Sequence, residues 1–79
     1  MFTKTKRIYE AFAYRNAADG KPYTRDTSTR KADALRTAKE WAKRYGRVEV
    51  NALYVDVNDE NNIQGAELLE AWENGHKTT

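Results

Sequence analysis

Residues 47–57 constrain the fold more than any other part of this chain. Val48, Val50, Ala52 and Tyr54 fall on one side of an extended strand, and Leu53, Val55 and Val57 on the other. A strand with one solvated face alternates apolar and polar residues. Apolar residues on both faces predict a central strand, covered on both sides or kinked midway. The remaining residues of the 79 must be arranged around it.

Residues 7–15 supply one neighbour. Ile8, Phe12 and Tyr14 share a face, while Tyr9, Ala11 and Ala13 share the other. Asp19-Gly20 signals a turn, and residues 23–27 return as a short polar strand. That polarity, with Pro22 just before it, suits a sheet edge. Ser28 and Thr29 predict the cap of a helix over about residues 30–45. Leu35, Ala38, Trp41, Ala42 and Tyr45 form its apolar stripe, and Gly46 is its expected left-handed stop.

After the central strand, residues 58–62 read as a polar loop. A short second helix is expected over about residues 65–73. Leu68, Leu69 and Trp72 form its apolar face, and Gly75 ends it. The expected fold is therefore α+β, in the order ββαβα. Its sheet is small, antiparallel and three-stranded, with order 2-1-3; the main helix packs on one face and the short helix lies C-terminal. The core is expected to hold Ile8 or Tyr9, Phe12, Leu35, Ala38, Trp41, Val48, Val50 and Tyr54.

Residues 1–79 read as a single domain, with about 1–5 and 75–79 frayed. A chain of this length buries only roughly 60–65% of its unfolded surface. With no cysteine, nothing here forms a disulfide, a thiolate ligand or a thiol nucleophile. That suits the reducing cytosol, so a cytoplasmic location is expected. Residues 1–7 are not followed by the apolar run of a signal peptide, and no stretch approaches the ~18 apolar residues of a membrane span. Nine aromatic residues argue against disorder.

The charge changes sign along the chain. Residues 1–47 carry thirteen lysines and arginines against five acids, a net of +8. Residues 48–79 carry seven acids against the single base Lys77, a net of −6. Opposed patches of this kind steer association with charged partners. A monomer or a weak, salt-sensitive dimer is expected, since opposed patches allow self-association without requiring it. Arg36, Lys39, Lys43 and Arg47 fall close to one line on the main helix, with Lys31 and Arg44 flanking, and could track phosphates, which makes nucleic acid one candidate partner. Glu40 interrupts the line, and no aromatic is interleaved on that face. Asp56, Asp59, Glu60, Glu67 and Glu70 have no base near them in sequence, so a basic protein surface is the other candidate partner.

Catalysis has little footing. His76 is the only histidine and stands near the end, and Ser28 has no histidine near it in sequence. Glu10 and Asp26 could meet across the first hairpin, but an exposed pair of acids is no acid–base dyad. No glycine-rich phosphate loop occurs. The chain is expected to be no enzyme and to use no cofactor.

Two resemblances stand beside this reading. Asp56, Asn58, Glu60, Ile63, Gln64 and Glu67 occupy positions 1, 3, 5, 8, 9 and 12 of a window that resembles the EF-hand calcium loop. It departs from that loop at position 6, where Asn61 replaces glycine, and in following a strand rather than a helix. The resemblance would make Asp56, Asn58, Glu60 and Glu67 ligands. The chain as a whole is similar in size, build and split charge to small inhibitor proteins of bacteriophages and mobile elements, anti-CRISPR proteins above all. No motif is shared, so no residue carries over. That resemblance implies inhibition by binding to a nucleic-acid-handling host complex.

Overall fold

A computed structural model describes residues 4–79. Its elements are β1 (Thr5–Tyr14), β2 (Thr24–Ser28), α1 (Lys31–Trp41), β3 (Arg47–Asp56), β4 (Asp59–Glu73) and β5 (His76–Lys77). All five strands join one antiparallel sheet in the order β2-β1-β3-β4-β5. The expected order of the first three strands is present. The expected three-stranded sheet with two helices is not: residues 65–73 are strand, inside the 15-residue β4.

The physical reason is a β-bulge. The β3–β4 register shifts between Val50 and Asn51, whose partners are Glu70 and Leu68. Leu69 is the extra residue, and it packs against the main core together with Trp72. Leu68, opposite Asn51, is left exposed. The extra residue breaks the alternation of the strand, and Leu68, Leu69 and Trp72 then imitate helical spacing. A helix of about nine residues is marginal alone. Pairing with β3 instead satisfies the second backbone edge of the most apolar strand in the chain.

The core lies between α1 and one face of the sheet, and it is built from small residues. Ala11 and Ala13 of β1, Ala34, Ala38 and Ala42 along the helical segment, and Val48 and Val50 of β3 are all buried. Alanine at each buried position of the helical segment lets the helix axis lie close to the strands. Tyr9, Leu35, Trp41, Tyr45, Leu69 and Trp72 pack around this seam, each partly buried. Of the expected core, Ile8, Ala38, Val48 and Val50 are buried; Phe12, Leu35, Trp41 and Tyr54 are only partly so. On the opposite face, Ile8, Leu53 and Val55 form a second small cluster. Thus β3 is indeed apolar on both faces, although α1 covers only one.

The helix is shorter than expected, ending at Trp41. Arg30 takes the cap position without a side-chain cap bond. Ser28 Oγ instead accepts from the Arg30 N–H at 3.0 Å, so the serine shapes the entry rather than closing the helix. Gly46 is not in the left-handed region. Its absent side chain serves another purpose: a Cβ there would lie 2.7 Å from Ala17 N and 2.9 Å from Arg15 O. Asn74 (φ 51°) and Gly75 (φ 83°) make the turn between β4 and β5.

Of the two ends expected to fray, residues 1–3 lie outside the described residues. Thr5 already pairs with Asp56. At the other end the Thr78 N–H donates to Ala71 O at 2.8 Å, continuing the β5 pairing. No helix among the described residues is long and apolar enough to cross a membrane.

Candidate protein-interaction edge

The strand order converts the charge split of the sequence into a separation in space. The basic first half forms β1, β2 and α1, on one side of β3. The acidic second half forms β4 on the other side.

The basic residues expected to form one line do not remain together. Lys31, Arg36, Lys39, Lys43 and Arg44 are exposed on α1 or in the turn that follows it. Arg36 Nη1 lies 3.2 Å from Asp33 Oδ1, and Lys43 Nζ lies 3.7 Å from Glu40 Oε1. Arg47 leaves the line altogether. It begins β3, stands over the Tyr14 ring, and donates to the carbonyls of Ala17 and Asp19. It therefore orders a loop rather than facing a partner.

The acids are distributed along β4 and its hairpin with β3. Asp56 and Asp59 pair across the turn, where each accepts a backbone N–H two residues on, from Asn58 at 2.8 Å and Asn61 at 3.0 Å. The fold then supplies bases that the sequence keeps distant. Lys6 of β1 reaches Glu60 at 2.7 Å, and Lys77 of β5 approaches Glu70 at 3.8 Å. Glu70 also accepts from Trp72 Nε1 at 2.7 Å and is largely withdrawn from solvent. Glu67 accepts from the Tyr54 hydroxyl at 3.1 Å. Arg7 stands over that same Tyr54 ring, 5.0 Å from its centre. Its guanidinium is held above its ordinary pKa, chiefly by a hydrogen bond with Tyr9. The acidic patch is thus partly neutralised, and among the described residues Asp56, Asp59 and Glu67 are its members without a lysine or arginine in an ion pair.

Residues 56–67 do not wrap into a calcium loop. From Asp59 onward they belong to β4, where Ile63, Gly65, Ala66 and Glu67 face Val55, Tyr54, Leu53 and Ala52 of β3 instead of closing around one point. No three acids or histidines among the described residues converge on one point. Glu10 and Asp26 do not meet either. Glu10 pairs with Thr27 and Asp26 with Ala11, which puts the two acids on opposite faces of the sheet. No protein-family model, curated protein or solved structure matches the chain.

The feature that sequence reasoning misses is the free edge of β4. β5 covers β4 only near Trp72 and Glu73. From residue 59 to residue 69 no strand pairs with its outer side among the described residues. Along this stretch Ile63 and Leu68 remain 56% and 49% exposed. The Asn74-Gly75 pair is the signal that could have found it, because a hairpin turn there requires a strand before it.

Proposed function

We propose that this chain is a non-catalytic protein-binding module that receives a basic surface of a protein partner on the far half of the β3–β4 hairpin and the free edge of β4. That free edge is the observation that carries the reading. An uncovered strand can accept an added strand from a partner. Ile63 and Leu68 offer apolar area for burial, and Asp56, Asp59, Glu60 and Glu67 set the sign of what approaches. The same acids oppose a second β4 edge, so pairing of two copies through this strand is disfavoured.

Following the resemblance in size and build to phage-encoded inhibitors, the proposed partner is a nucleoprotein effector complex in the host cytoplasm. The acidic hairpin would occupy a groove that otherwise receives nucleic acid, and inhibition would follow from occupation alone.

Reversal of Asp59 and Glu60 to lysine tests this. Both side chains are exposed, so the fold should persist while binding or inhibition is lost. Full activity of that variant, with loss in a Lys39→Glu, Lys43→Glu variant, would overturn it. The second outcome would favour nucleic-acid binding by α1 and the turn after it, where Lys31, Lys39 and Arg44 are exposed and, among the described residues, outside any ion pair. Nucleic-acid binding would also weaken steeply as salt rises.

A further inference from the structure

A groove of about 310 Å³ opens on the sheet face away from α1, between β2 and the start of β4. Its floor is apolar: Ile8 and Leu53 pair across β1 and β3, and both are buried. Ile63 forms a wall. Within it stands Glu10, whose side chain is only 13% exposed.

Glu10 is incompletely matched. Thr27 Oγ1 donates to its Oε2 at 3.3 Å. Arg25 lies 3.9 Å from Oε1, beyond hydrogen-bond distance, and is itself 71% exposed. The other carboxylate of the groove, Glu60, is already held by Lys6 at 2.7 Å. A carboxylate drawn out of water gains most from a cation at hydrogen-bond distance. The loosely placed arm of Arg25 does not supply one.

The geometry points to this groove as the seat of one basic side chain of the protein partner, its charged head against Glu10 and its apolar stem over Ile8, Leu53 and Ile63. Lysine and arginine are built in this way, with a hydrocarbon stem and a charged tip. A guanidinium suits the site better than an ammonium, because it is less strongly hydrated. The inference rests on the protein-binding reading for the carrier of the side chain. It deepens that reading by naming the anchor: Glu60 and Asn61 rim the same groove, so a partner lying along β4 can reach over them. Arginines seated in such pockets often dominate the energy of an interface.

The test uses n-butylguanidinium as the probe, titrated into 15N-labelled protein, with guanidinium and n-butanol as controls at matched ionic strength. Saturable shifts are expected at the amides of Ile8, Glu10, Leu53 and Ile63. The affinity should lie in the millimolar range that suits one charge pair and a short stem, with both controls weaker. Glu10→Gln should weaken binding by about tenfold, as loss of a charge-assisted hydrogen bond does. Ile63→Ser changes an exposed position, so its fold persists, and it should weaken the probe about threefold through lost apolar contact. Shifts spread evenly over the surface acids would overturn the inference. So would equal affinity in Ile63→Ser, or in a folded Glu10→Gln. The titration needs no partner, and the charge-reversal experiment needs no probe, so the groove and the protein-binding reading can fail separately.

Discussion

The guanidinium carbon of Arg47 stands 3.8 Å from the centre of the Tyr14 ring, its cross-strand partner. Its two terminal nitrogens donate to Ala17 O and Asp19 O, each at 3.0 Å. One side chain at the start of β3 thereby fixes the loop between β1 and β2. This use requires the planar fork of arginine, which can stack and donate in two directions at once. Arg47→Lys keeps the charge and loses the geometry. It should lower stability by about 1–3 kcal/mol, the scale of losing a hydrogen bond from a charged donor. Urea denaturation of the two proteins measures this, and an unchanged midpoint would show that the loop holds itself.

The alanine seam sets a second expectation. Ala38 is fully buried where α1 meets the sheet. Replacing it with leucine inserts three carbons into a contact that has no space for them. Overpacking of this kind costs typically ~1–3 kcal/mol. Leucine is otherwise a good helix former, so any loss comes from packing and not propensity. A thermal melt of Ala38→Leu should fall by several degrees; for a domain of this size ~1 kcal/mol corresponds to about 4–8 °C.

Gly75 gives a more local effect. Its φ of 83° lies where L side chains rarely sit. Gly75→Val should strain the turn by about 1–2 kcal/mol. Because β5 contributes only two strand residues, the damage should stay near the C-terminal end. Amide exchange at Thr78, bonded to Ala71 O, should accelerate strongly, while exchange at Val48 and Val50 should scarcely change. Equal acceleration at all three positions would mean that β5 supports the whole sheet.

The contrast between β3 and β4 explains how far the sequence can be read. β1 and β3 pair without a register shift, so the period of two places Ala11, Ala13, Val48 and Val50 on a common face, and the order 2-1-3 follows from short antiparallel connections. β4 breaks its alternation at Leu69, and its single-sequence pattern is that of a helix turn. Asn74-Gly75 carries two meanings, a glycine after a helix or a two-residue hairpin turn, and only the strand pairing of residues 71–73 decides between them. The acidic patch shows the same limit. Asp59, Glu60, Glu67 and Glu70 are visible as charges, but the ion pair from Lys6, 54 residues away from Glu60, depends on strand order. The free β4 edge exists only because β4 is a strand, so a helix over residues 65–73 leaves no such edge to see.

The placement of opposite charges on opposite sides of β3 predicts how copies of the chain meet. The basic side, with β2 and α1, attracts the acidic β4 of a second molecule, whereas two like sides repel. Association should therefore be head-to-tail, weak, and driven by charge. Raising the salt from 0.1 M to 1 M shortens the Debye length from ~10 Å to ~3 Å and should abolish it. Sedimentation velocity at the two salts decides the matter. Asp59→Lys combined with Glu60→Lys should reduce association at low salt as well, by reversing charge at the start of β4. A complex that survives 1 M salt would instead be apolar, and the exposed Ile63 and Leu68 would then be the residues to truncate.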